Sequence, residues 1–268
     1  MKISALVATA GLALAGTAIA DVDINGGDLT PVASFAIGTP GTYLGTAAGV
    51  EYSNITTFTG SAFSHGGAAV QSGNTITTLV ADDCTPIGPG GTSVTQVKFS
   101  VSNLNSVSVS ARARIRFWFA DGSGGGPGTY YNNPASVGFS FNAIAFGANS
   151  VTTVTGTIGA GLFYMPSNKF WAGVTFDNNT GATGATLAQM NNLGQGIFTP
   201  PTVGSSADQA FQTSGAGSFF TVSNPAGTLF NFGGNPAANF GWEFSTIPAP
   251  GASALLGLAG LVGLRRRR

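Results

Sequence analysis

Between residues 106 and 120 the chain reads SVSVSARARIRFWFA. Val107, Val109, Ala111, Ala113, Ile115, Phe117 and Phe119 take the odd positions, and Ser108, Ser110, Arg112, Arg114, Arg116 and Trp118 take the even ones. Successive side chains of an extended strand point to opposite faces, so this period of two predicts a long strand with its odd face on a core and its even face in water. Similar alternation marks 97–101, 137–145 and 170–176, and weaker versions occur at 75–80, 151–158, 219–222, 229–232 and 240–244. Glycine- and asparagine-rich turns separate them, at 122–128 and 178–184 above all. Only ATLAQMNN, 185–192, has a helical look, while 30–73 is the loosest stretch, rich in Gly, Ala, Ser and Thr. Many strands, frequent turns and two sheet faces to cover predict an all-β body, an antiparallel two-sheet β-sandwich of jelly-roll-like winding. No fixed repeat runs through it, which disfavours a solenoid or propeller.

Both ends break this pattern. Met1 and Lys2 open a short basic start, 3–16 are apolar or small, and Ala18 and Ala20 stand at the two positions a signal peptidase reads. Residues 1–20 are therefore expected to be a cleavable signal helix, leaving Asp21 first. At the other end IPAPGASALLGLAGLVGLRRRR, 247–268, places an apolar run before four arginines. Residues 251–264 carry no charge, and as a hydrophobic helix they would reach about 21 Å, short of the roughly 30 Å hydrocarbon core. Arginine stems can snorkel to the interface, so a transient membrane insertion through 251–264 is tolerated. Arg265, Arg266, Arg267 and Arg268 oppose translocation of that end, while Pro248 and Pro250 keep the lead-in extended, the backbone state a protease requires. The chain thus divides into 1–20, a β-sandwich body at 21–245 and a sorting tail at 246–268.

Pro248, Pro250, the run 251–264 and the arginine cluster 265–268 together resemble the tail of the PEP-CTERM family. The resemblance implies that an exosortase, a membrane cysteine protease, recognises the tail and processes it during delivery to the cell surface or extracellular matrix. Ala249 replaces the family's central glutamate, so this tail is a Pro-Ala-Pro variant lacking that carboxylate. The body is similar to passenger domains found with such tails through RIRFWFADGSGGGPG, FWAGVTFDNN and NFGWEF, a likeness that supplies no substrate.

Charge sharpens the picture. Only 7% of the 268 residues are charged, against about 25% in an ordinary globular chain, so Ser, Thr, Asn and Gly must carry solubility. With both ends removed, Lys98, Arg112, Arg114, Arg116 and Lys169 face ten acids, a net charge of −5. That balance provides no basic field for nucleic acid.

Candidate chemistry is sparse. His65, the sole histidine, has no acid nearby in sequence and reads as a loop residue; no G-x-S-x-G elbow occurs. Cys84 is the sole cysteine and so forms no internal disulfide; burial is its expected fate. One His and one Cys give no zinc set. Asp121, before a glycine loop, and Asp177, before two asparagines, are the candidate ligands for a structural Ca²⁺, with the Asp82-Asp83 doublet as a further carboxylate source. DGSGGGPG, 121–128, lacks the following helix that a phosphate loop needs and reads as a hairpin loop.

Aromatic residues give the strongest binding signal. Trp118 and Trp171 fall on the outward parity of their strands, and Tyr130 and Tyr131 follow the glycine loop, a set that could stack on sugar rings; if both sheet faces are covered, these tryptophans are core instead. Threonines at 55–59, 75–78 and 151–155 could form an ice-binding face, although they follow no repeat. The expectation is a non-enzymatic surface or matrix protein, structural or adhesive. Its rival is a secreted polysaccharide-binding module, with an ice-binding protein or a hydrolase behind.

Overall fold

The computed structural model describes residues 23–43, 49–71, 73–131, 138–216 and 224–246. They form an all-β body of two sheets. The long alternating segment is β10 (Val109–Phe119), central in the first sheet. That sheet runs β1 (Ile24–Gly27), β11 (Phe139–Phe141), β10, β14 (Phe170–Asp177), β8 (Val80–Cys84), β16 (Ala210–Thr213), β17 (Gly227–Phe230). Three short strands lie off this path: β12 (Ile144–Phe146) pairs with β10, β7 (Asn74–Ile76) with β14, and β6 (Ala69–Gln71) with β7.

The second sheet runs β2 (Leu29–Ala36), β13 (Ser150–Thr157), β9 (Val94–Asn103), β15 (Leu193–Phe198), β5 (Thr57–Ser64), β3 (Gly41–Thr42). In it β18 (Trp242–Thr246) bridges β9 and β4 (Val50–Ser53). Pairing is antiparallel apart from β1 on β11, which is parallel and departs from the wholly antiparallel sheet expected. The main core fills the space between the sheets with aliphatic and phenyl side chains. Within it Phe117 stacks on Phe163 at 4.2 Å and Trp242 on Phe244 at 5.7 Å.

Three segments differ from expectation for local reasons. The 137–145 pattern splits into β11 and β12 around Asn142 and Ala143, both exposed. The 75–80 pattern breaks where the Thr77 hydroxyl bonds to the backbone at Thr78 and Phe176, replacing ladder contacts. Residues 30–73 carry most of β2 and all of β3 to β6 instead of a loose coil; Pro31 sits in β2, an edge strand, where a missing N–H is tolerated. The short helix is α1 (Leu187–Met190), started by a reciprocal capping box between Thr186 and Gln189. The stretch 219–222 lies outside the described residues.

Neither sheet leaves its outer face simply wet. Ile55, Phe58, Val151 and Phe198 form a small second core outside the second sheet. Trp118, Trp171, Leu79, Ala81 and Phe211 anchor another outside the first.

Candidate functional site

β10 and β14 pair in register with Trp118 opposite Trp171 and Arg114 opposite Thr175. Parity does send both tryptophans to the outer side, yet they are 1% and 0% exposed. Of the two readings for Trp118 and Trp171, exposed glycan contacts or core, burial is the outcome and the solvent-facing one is corrected: a second layer covers them. Part of that cover is the glycine loop. Residues 121–128 fold back so that the Trp171 indole N–H donates to the Gly125 carbonyl at 3.0 Å, and the Leu229 side chain lies beside Gly124 and Gly126. Gly124 and Gly125 have φ of 64° and 76°, the left-handed region that glycine enters at little cost. A Cβ on Gly122 would sit 2.4 Å from the Pro127 carbonyl, so the sequence DGSGGGPG is the composition this tight cover requires.

The chain leaves the loop by pairing back on β10. Phe119 N–H donates to Thr129 O at 2.9 Å, Gly128 N–H to Phe119 O at 3.0 Å, and Tyr131 N–H to Phe117 O at 3.0 Å. Tyr130 packs edge-on against Trp118 at 6.1 Å and Tyr131 against Phe119 at 4.8 Å. Both tyrosines are buried, at 6% and 9%, whereas Phe119 is 39% exposed despite its inward parity. Phe119 is the last residue of β10, whereas its register partner Phe170 is fully buried. Phe119, Tyr130, Tyr131, Met165 and Pro166 line an open cavity of about 430 Å³. Phe119, Asp121, Asn168 and Lys169 line a second of about 420 Å³.

At the other end of β10 the same outer face is ionic. Asp177 is fully buried; it accepts from Arg112 Nε at 2.9 Å and lies 2.6 Å from Arg114 Nε. The Asn179 N–H also donates to it at 2.8 Å. Asp23 pairs with Arg114 and Arg116, each at 3.4 Å, and Arg116 is itself fully buried. A cavity of about 410 Å³ opens over Arg112, Arg114, Asn25 and Asn142.

The two proposed calcium ligands serve separate purposes. Asp177 neutralises guanidinium groups, while Asp121 is exposed and accepts the Thr129 N–H at 2.6 Å. Hydrogen bonds from the Thr129 hydroxyl and N–H hold the Asp121 carboxyl below its usual range. Neither carboxylate is seen to share a ligand with the other, and no group of three or more His, Cys, Asp or Glu is placed to hold a metal among the described residues.

His65 lies in a loop, as expected, but is wholly buried, its ring against Phe176 at 5.2 Å. Burial lowers its pKa to about 3, partly offset by the nearby Gln195 side chain. Among the described residues neither ring nitrogen has a well-formed hydrogen bond, so none of their serines and acids is brought to it as a triad would need. Cys84 is buried as well, and burial pushes its thiol up. Next to it Asp82 is fully buried and accepts the Phe240 N–H at 2.7 Å; burial and then the Asp83 charge raise its pKa well above normal. Asp83 faces Ser206 Oγ at 3.0 Å and Lys169 Nζ at 3.3 Å. No local pattern announces the Asp82 and Asp83 network, whose partners Lys169, Ser206 and Phe240 come from other parts of the chain. Thr75, Thr77, Thr78, Thr152 and Thr153 are buried and present no flat hydroxyl face to water.

Ala18, Ala20, Pro248, Pro250, Arg265, Arg266, Arg267, Arg268 and the run 251–264 lie outside the described residues. Among the described residues no helix is long and apolar enough to cross a membrane. No family model, no curated protein and no solved structure matches this chain.

Proposed function

We propose that this is an exported surface or matrix protein, delivered through a C-terminal exosortase-type sorting signal, with a non-enzymatic, structural or adhesive body. The observation that carries the reading is the order Pro-Ala-Pro, uncharged run, four arginines at 247–268, paired with the leader pattern at 1–20. Signal peptidase and the exosortase are its partners in transit, and the body is a jelly-roll-like carrier. In support, His65 is buried without an acid or serine partner among the described residues, and the buried acids Asp177 and Glu243 are committed to Arg112, Arg114 and Lys98. Such fixed pairs favour a rigid carrier over a site with groups poised for proton transfer.

The test is expression in a host that has an exosortase, with and without 247–268, followed by fractionation and intact-mass measurement. The full chain should reach the surface or medium with the leader absent and the tail cut. The shortened chain should change compartment. Identical location and an uncut tail in the full chain would overturn the reading.

A further inference from the structure

The aromatic side chain that meets solvent most openly on β10 is the one whose parity should have hidden it. Phe119 is 39% exposed and is held from several sides: backbone hydrogen bonds to Thr129 and Gly128, and an edge-on contact with Tyr131. A ring fixed at a strand end loses little conformational freedom when something stacks on it. The cavities of about 430 and 420 Å³ share Phe119 as a common wall, and the neighbouring residues Ser167 and Asn168 line one each. Each lies in the volume range of small-ligand sites.

We propose that the two cavities act as one trough that binds a neutral polysaccharide built from pyranose rings with equatorial hydroxyls, one ring stacking on Phe119 and its neighbours lying along the two cavities. The inference rests on the adhesive reading of the body and names the class of its partner. Pyranoses of that configuration present flat C–H faces that pack on an aromatic ring, and a rim of hydroxyls that needs polar partners. The trough supplies both. Tyr131, Met165 and Pro166 extend the apolar floor on one side, and the exposed Ser167 and Asn168 offer a hydroxyl and an amide at the rim.

Charge narrows the choice. The Lys169 ammonium is already paired with Asp83 at 3.3 Å and Asp121 adds a carboxylate, so the rim has no spare positive field. With the body at −5 overall, a polyanion would be repelled. A wholly apolar peptide face would strip water from Asp121, Asn168 and Lys169 without replacing their hydrogen bonds. A single stacked ring binds weakly on its own. Many copies on one surface would then hold a polymer by avidity.

The experiment is affinity electrophoresis of protein recovered from cells producing the full chain, through gels cast with hydroxyethylcellulose, xyloglucan, alginate or no polymer. The two neutral polymers should retard the protein and alginate should not. Phe119→Ser should weaken retardation at least tenfold, Phe119→Trp should retain it, and Leu187→Ser, at an exposed position on α1, should match the parent. Asn168→Ala, a surface change that leaves the fold intact, should weaken retardation several-fold even if the Phe119 variants were poorly folded. No retardation by either neutral polymer, retardation by alginate alone, or unchanged mobility of both Phe119→Ser and Asn168→Ala would overturn the proposal. Failure here with correct surface delivery removes only the glycan assignment. Intact binding with misdelivery removes only the sorting signal.

Discussion

The outer face of β10 has two halves that keep water out by different means. Toward its start Arg112, Arg114 and Arg116 are bound to Asp177 and Asp23; toward its end Trp118 lies with Trp171 under a glycine-rich cover. The parity of the side chains is the same in both halves and the surroundings are not. Alternation in a strand therefore states which side a residue takes, and only the elements packed on that side decide whether it is wet. In the ionic half the dry environment is made by charge pairing, which is directional and fails if one partner is removed. In the aromatic half it is made by contact area, which fails in proportion to the volume lost.

The largest effect should come from emptying the aromatic half. Trp171→Ala removes a fully buried indole beside Trp118, Leu79 and Ala81 and should cost about 4 kcal/mol, the range for large-to-small core changes. Chemical denaturation with a two-state fit measures it. A cost near zero would mean that this outer layer is not a core. Asp177→Ala in the ionic half should cost about 3 kcal/mol, because it leaves the Arg112 and Arg114 guanidinium groups beside a vacated carboxylate. Those arginine side chains are 21% and 15% exposed, so water relieves part of the penalty and the loss should be the smaller of the two. The reverse order would show that charge pairing contributes more than contact area on this face.

That contrast also marks what the sequence made legible. The strand at 106–120 and its inward odd residues could be read because period-two alternation is local, and β10 does bury Val109, Ala111, Ala113, Ile115 and Phe117. The helical look of 185–192 was equally local, and α1 forms within it. What covers the even face was not legible, since Phe211 and Leu79 come from elsewhere in the chain and the adjacent glycine loop is tied down by Trp171 of another strand. The exposure of Phe119 runs against its parity, and no pattern within β10 records that. Edge strands such as β2 and β3 escaped notice because short segments rich in Gly, Ser and Thr carry little hydrophobic signal. The burial of His65 hangs on Phe176, more than a hundred positions later.

Behind the ionic half, on the inner face of β14, His65 packs on Phe176, the residue before Asp177. Its pKa falls from 6.5 to about 3 on burial, so its contribution to stability is complete above pH 6.5 and is lost as pH drops toward 3. From pH 7 to pH 5 the unfolded chain takes up this proton and the folded one does not, a loss of about 2 kcal/mol. Asp82 works in the opposite sense. Its folded pKa is raised, so the stability it contributes is present below its unfolded pKa and is lost as pH rises through the folded value. The two slopes oppose each other in the parent protein. Asp82→Asn should uncover the His65 slope, giving a loss of about 2 kcal/mol between pH 7 and pH 5 in urea titrations. His65→Gln in the same background should remove that loss, and an unchanged slope would show that some other group sets it.

The finest test separates area from direction within the aromatic half. Trp171→Phe keeps most of the ring's contact but deletes the indole N–H that donates to Gly125 O, leaving a carbonyl of the cover without that partner. A lost hydrogen bond of this kind should cost about 1 kcal/mol, plus a smaller amount for the reduced ring. If the glycine cover is held by area alone, Trp171→Phe will unfold at nearly the parent's midpoint and amide exchange across 121–128 will be unchanged. If the hydrogen bond pins the cover, exchange in that loop will accelerate well before global stability falls, because local opening is governed by the contacts of the loop itself. We expect the second outcome: Gly124 and Gly125 have no side chains with which to hold the loop down, so the carbonyl of Gly125 is its direct polar tie to the aromatic layer beneath.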